Sequence, residues 1–106
     1  MSALSEQDFR LEADRALEQA RHGLSRLADE EDVEVELQNG VLQIVFEEPT
    51  SAKFVVSPNA PVRQIWVSAM SRSYKLTWVS DSSSFALDGE ALDTLLSRLV
   101  RQFLAT

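Results

Sequence analysis

The sequence predicts an α+β domain: a two-layer sandwich in which an antiparallel sheet of five or six strands carries both helices on one face. Three observations predict it. The two ends of the chain place apolar residues at steps of three and four, the middle places them at steps of two, and every segment has a single apolar face. Elements with one oily face each are buried together when helices and sheet stack in two layers. With 106 residues, 44% of them apolar, and no repeat, linker or low-complexity tract, residues 1–106 are expected to form one domain.

The element order is α, strands, α. Ser5-Glu6-Gln7-Asp8 has the form of a capping box, with Ser5 as N-cap and Asp8 reaching back. Behind it Phe9, Ala13, Ala16, Leu17, Ala20, Leu24 and Leu27 make one helix face that runs to about Ala28. Strand one is 33–37, where Val33, Val35 and Leu37 point inward while Asp32, Glu34 and Glu36 point away. Asn39-Gly40 supplies the two positive-φ residues of a type I′ turn. Strand two, 41–46, buries Leu42, Ile44 and Phe46, and strand three spans 52–57 until Pro58 and Pro61 break it. Strand four runs over 62–70 with Ile65 and Val67 inward, which turns Gln64, Trp66 and Ser68 outward. After a turn at 71–73, strand five (74–79) sets Tyr74, Leu76 and Trp78 against Lys75 and Thr77. A short sixth strand at 85–87 follows, and Asp88 reads as the N-cap of a last helix whose Leu92, Leu95, Leu96, Leu99, Val100 and Phe103 form an apolar stripe.

Composition excludes several chemistries. Without cysteine there are no disulfides, no thiolate catalysis and no Cys-ligated zinc or iron–sulfur cluster. No phosphate loop, dinucleotide motif, H-E-x-x-H or nucleophile elbow is present, and Ser82-Ser83-Ser84 reads as a turn. The net charge of −7 sits wholly in residues 1–36, where eleven acids face four arginines; residues 37–106 balance six against six. Such a field repels nucleic acid and anionic membrane and attracts cations or basic protein surfaces. Nothing after Met1 reads as a signal, transit or transmembrane segment, so the expected compartment is the cytoplasm, or the mitochondrial matrix for a processed eukaryotic form.

Pro61-Val62-Arg63-Gln64-Ile65-Trp66-Val67-Ser68 resembles the P-x-x-Q-[IV]-W-[LIV]-[SA] segment of frataxins. Asn39-Gly40-Val41-Leu42 is similar to that family's turn after an acidic strand, Tyr74-Lys75-Leu76-Thr77 to its aromatic-rich strand, and Leu92-Asp93-Thr94-Leu95-Leu96 to its last-helix L-x-x-L-L. The resemblance covers nearly the whole chain and implies a small iron-binding protein of iron–sulfur cluster biogenesis. Such a protein would be a regulator or iron chaperone that docks on the cysteine desulfurase and iron–sulfur scaffold, as a monomer, with ferroxidase activity claimed for some members. The chain also departs from the pattern. Arg15, Arg21, His22 and Arg26 interrupt the acids of the first helix, Ser57 and Thr77 replace the family's usual Asn and Asp, and Ser71-Arg72-Ser73 replaces a Gly-rich turn. These changes shift weight from the helix to residues 29–36.

Carboxylate oxygens suit hard cations such as iron, manganese, calcium or magnesium. The candidate metal-binding residues are Asp29, Glu30, Glu31, Asp32, Glu34 and Glu36, with Asp14 and Glu18 from the first helix. Alternate residues of a strand stand about 6.5–7 Å apart, so one ion cannot easily bridge two of them without help. A diffuse, low-affinity surface is therefore expected, and the plain alternative is a solvated face that blunts an edge strand. An outward Trp66, with Asn59, Gln64 and Lys75, is the candidate protein-docking site, because tryptophan is enriched in binding hot spots; the plain alternative is an indole covered by a loop. His22 reads as a surface histidine, and Trp78 and Tyr74 as core. No organic cofactor is expected. A competing class is a small acidic secretion-type chaperone or adaptor, dimeric and metal-free; an iron-oxidising enzyme would share the residues of the frataxin reading.

Overall fold

A computed structural model describes residues 4–105. Its elements are α1 (Glu6–Glu31), β1 (Glu34–Gln38), β2 (Val41–Phe46), β3 (Ala52–Asn59), a 3-10 turn (Ala60–Val62), β4 (Gln64–Ala69), β5 (Arg72–Val79), β6 (Ser84–Leu87), β7 (Glu90–Ala91) and α2 (Leu92–Leu104). The seven strands form one antiparallel meander in the order β1-β2-β3-β4-β5-β6-β7. The expected two-layer arrangement is present, with one strand more than the alternation reveals.

Ser5 caps α1 by accepting the Asp8 backbone N–H at 3.1 Å, half of the expected box. Phe9, Ala13, Leu17, Ala20 and Leu24 form its buried stripe. On the sheet, Leu42, Ile44, Phe46, Phe54, Val56, Ile65, Val67, Leu76 and Phe85 meet that stripe and the Leu95, Leu96, Leu99 and Val100 face of α2 in one core. Phe46 lies at its aromatic end, with ring centroids 4.8 Å from Phe54 and 4.5 Å from Phe103. The first half of α1 (Glu12, Ala16, Gln19) lies beside the start of α2, and its second half (His22, Arg26, Glu30) beside Ser97 and Arg101, so the helices run in the same direction. Trp78 and Tyr74 pack against the core while half-buried.

Several boundaries differ from the sequence expectations for identifiable reasons. The first helix continues three residues past Ala28 and ends on Asp32 in the left-handed conformation (φ 58°), whose N–H bonds back to Ala28. β3 passes through Pro58, which pairs with Ile65 of β4 beyond the last β2–β3 pair, Leu42 with Val56; the missing N–H leaves no gap in the β2 ladder. β4 begins at Gln64 because Ala60–Val62 coil into the 3-10 turn and Arg63 is left-handed (φ 55°). The Arg63 guanidinium donates to the carbonyls of Leu4 and Ala60, tying this turn to the entry of α1. β4 and β5 are joined by Met70-Ser71, both at positive φ (50° and 64°), closing directly on the Ala69–Arg72 pair.

Asp88 is not the N-cap of the last helix. Asp88 and Gly89 (φ 52° and 81°) are the two central residues of a hairpin between β6 and β7. The N-cap is Ala91, with no side-chain bond. Glu90 instead secures this corner: its carboxylate accepts Nε–H and an Nη2–H of Arg98 on α2 at 2.8 and 2.9 Å.

Phe46→Ala is expected to cost about 3–5 kcal/mol, the range for removing a fully buried aromatic. Chemical denaturation reads this as a lowered midpoint at unchanged m value, and a loss below 1 kcal/mol would show that the aromatic end collapses freely around the void.

Candidate functional site

The carboxylates of 29–36 are distributed by three different local structures. Asp29, Glu30 and Glu31 belong to the last turn of α1, where successive side chains are about 100° apart. Asp32 occupies the left-handed cap, and Val33, buried behind it, begins the descent into the sheet. Glu34 and Glu36 alternate along β1 with half-buried Val35 and Leu37, and so point out of the helix-free face. The expected single row therefore bends. Its strand half is straight, while its helical half fans around the end of α1, and Asp32 is a cap where an outward strand residue was expected.

The remaining candidates lie elsewhere along α1. Asp14 borders a groove with Asn39, Gly40 and Val41 at the β1–β2 turn. Glu18 borders an open groove with Arg21 and residues 35–38 of β1. It is paired with Arg21 through both carboxylate oxygens, one at 3.3 Å. The Arg21 hydrogen bond pulls the Glu18 carboxyl below its ordinary value against the opposing effect of desolvation, with lesser help from the Arg21 and His22 charges. Arg21, which interrupts the acids of this helix, is thus the partner of Glu18, and their three-residue spacing on the helix is the sequence signal of the pair. Glu30 turns towards the second helix, sharing a depression with His22, Arg26 and Arg101. Among the described residues no three of His, Asp or Glu are gathered closely enough to hold a metal ion. The donor set suits hydrated cations held loosely at an exposed rim, and not a closed coordination sphere.

The rim's position is energetically unusual. A helix C-terminus carries the negative end of the macrodipole and favours basic residues, each carboxylate there costing about 0.3–1 kcal/mol at low ionic strength. The last turn of α1 has no basic residue, and Asp29, Glu30, Glu31 and Asp32 all crowd it. A cation or a basic surface at this place relieves both the mutual repulsion and the conflict with the dipole.

Trp66 stands on the same helix-free face. It is 37% exposed, not covered. Its indole N–H donates to Gln64 Oε1 at 2.8 Å, and the Lys75 ammonium sits 4.9 Å from the ring centroid, from the residue directly opposite on β5. Ser57 faces Trp66 from β3, and Asn59 faces Gln64. The ring is thus clamped from two sides while its outer surface stays open. Register places the strand half of the rim on the same face: Glu36 opposes Gln43, Gln43 opposes Val55, and Val55 opposes Ser68, two residues from Trp66. Three strand spacings separate β1 from β4, about 14–15 Å, so one partner surface can touch both.

The family model for the frataxin-like domain matches residues 2–106. A protein of Janthinobacterium named iron-sulfur cluster assembly protein CyaY is 30% identical over 99 residues, covering 92% of this chain and 88% of the relative. Proteins of the same name from Pseudomonas fluorescens and Pseudomonas aeruginosa are 30% and 35% identical over 90 and 74 residues. They are covered over 80% and 67% of their lengths, and cover 81% and 66% of this chain.

For Glu18 the folded carboxyl titrates below its unfolded value near 4.5. Its small contribution to stability is then fully present above that pH and is lost as pH falls through the folded value. An NMR pH titration is expected to show Glu18 titrating below the ordinary glutamate value, and Arg21→Ala to raise it back towards that value; an unmoved midpoint refutes the pairing.

Proposed function

The chain belongs to the frataxin-like family and serves iron–sulfur cluster assembly; we propose that it does so as an iron-binding modulator of the cysteine desulfurase–scaffold complex. The observation that carries this reading is the crowding of Asp29, Glu30, Glu31 and Asp32 on a helix end whose dipole disfavours them. Residues that oppose local stability in this way are expected where function needs them. Iron is cargo here. Exposed carboxylates of Asp29, Glu30, Glu31, Asp32, Glu34 and Glu36, with Asp14 and Glu18 at the margin, hold it weakly and largely through water, so it can be handed on. The same rim meets a basic surface of the desulfurase, while Trp66, Gln64, Lys75 and Asn59 dock on the scaffold.

Charge and indole divide the work in this reading. The acidic third raises the encounter rate, and the desolvated indole supplies the lasting contact. The protein acts as a monomer in the bacterial cytoplasm; among its described residues no helix is long and apolar enough to cross a membrane. A metal-free secretion-type adaptor is disfavoured, since the family match spans residues 2–106.

The central test is a desulfurase activity assay on the complex with and without this protein and Fe²⁺. A change in rate is expected that weakens between low and high salt; a rate indifferent to the protein would overturn the reading. Trp66→Ala is expected to abolish scaffold binding while stability falls by no more than about 1 kcal/mol, the cost of an exposed cation–π pair. A large stability loss would make the indole a structural residue. In an iron titration followed by NMR, amides of 29–36 are expected to broaden at up to millimolar metal, and unchanged spectra would remove iron from the proposal.

A further inference from the structure

The sheet has two ends, and only one is closed. β7 consists of Glu90 and Ala91 alone and runs straight into α2, which leaves almost no edge to pair with. β1 presents five residues, and its hydrogen-bond ladder is made only with β2. In an antiparallel pair, alternate residues turn their N–H and C=O groups away from the neighbour. Those of β1 meet no backbone partner among the described residues on the outer side. Beside this edge lies the open groove lined by Glu18, Arg21, Val35, Glu36, Leu37 and Gln38.

We propose that the outer edge of β1 takes up an extended basic segment of a partner protein as an eighth strand. This rests on the reading that the acidic rim meets a basic protein, and it adds the mode and the sequence pattern of the contact. The occupant follows from the two faces of β1. Side chains of an added strand that fall on the helix side lie beside half-buried Val35 and Leu37, and should be apolar. Those on the other side lie beside exposed Glu34 and Glu36, and should be lysine or arginine. The complement of β1 is therefore a strand that alternates basic and apolar residues over about five positions. A second copy of this chain fits poorly, because an antiparallel β1–β1 pair centred on Val35 or Glu36 sets glutamates of the two copies opposite each other. The acids that keep the edge from self-association thus leave it open to a strand of opposite charge.

The probe is a seven-residue peptide alternating lysine and valine, titrated into the labelled full chain at low and physiological salt. The expected result is chemical-shift change centred on amides 34–38, with slowed hydrogen exchange at those β1 amides that are unpaired in the isolated protein. A peptide of the same composition with its lysines grouped before its valines, and the alternating peptide N-methylated at every second residue, should each bind at least about tenfold more weakly. Glu34→Lys combined with Glu36→Lys, both exposed and outside the core, should reverse the preference towards a peptide alternating glutamate and valine. Equal binding of grouped and alternating peptides, without protection of 34–38, overturns strand addition while leaving the basic-partner reading intact. No binding at millimolar peptide also overturns strand addition, and the desulfurase assay then decides the basic-partner reading separately.

Discussion

The architecture depends on one constraint: every strand must put its apolar residues on the single face that two helices can cover. The first helix supplies a stripe of Phe9, Ala13, Leu17, Ala20 and Leu24, and the last supplies Leu92, Leu95, Leu96, Leu99, Val100 and Phe103. Both cross the same side of the meander, so the inner sheet residues are sealed in one core. Strand parity then leaves no choice on the other side. Gln43, Val55, Trp66, Ser68, Lys75 and Glu36 face outward because their neighbours in sequence face inward. The open face carries the exposed indole because Ile65 and Val67 on either side of Trp66 point into the core.

A second consequence concerns charge. The chain must leave the helix layer and enter the sheet at its edge, and it does so by a left-handed residue at Asp32 followed by buried Val33. Whatever side chains occupy the last turn of the helix are therefore delivered to the rim of the sheet, beside those that project from the edge strand. Filling both with acids builds a continuous field from two elements that differ in geometry. The field is broad and its carboxylates are spread, which suits steering and loose cation binding and is a poor basis for selective coordination. Arg21 reinforces this character by occupying Glu18, a helix acid that borders the groove beside the edge strand's Val35 and Leu37.

Much of this was legible in the amino acids. The alternation of Leu42, Ile44 and Phe46 marks the second strand at its observed limits, and Asn39-Gly40 marks the turn before it. Parity around Ile65 and Val67 suffices to turn Trp66 outward. What was not legible had physical reasons. Met70-Ser71 adopts a turn that glycine and asparagine usually announce, so the strand after it reads two residues short. Asp88-Gly89 is itself a strong turn signal, but the strand after it has only two residues, too few to show a period, and aspartate before a leucine stripe looks like a cap. The first helix outlasts its apolar stripe because Glu30 and Glu31 are good helix formers that need no core contact. That extension is also why Asp32 is a cap, and why half of the predicted acidic row fans outward.

The absence of a closed pocket among the rim residues has its own logic. In the proposed role the protein must release what it binds, and so cannot use the dense, dehydrated ligand sets that give high affinity, because desolvating several carboxylates around one ion is repaid only by holding it tightly. Exposed acids at a helix end avoid that cost. They keep their water, lose little when a cation departs, and regain the repulsion that makes the next encounter favourable. The same hydration makes the rim a weak anchor for a protein, so lasting contact has to come from apolar surface and backbone pairing. Both are available within a few strand widths on this face: the indole over the fourth strand and the unpaired edge of the first. In the proposed function, the division of the surface into a steering region and a gripping region follows from where the helices lie to close the core.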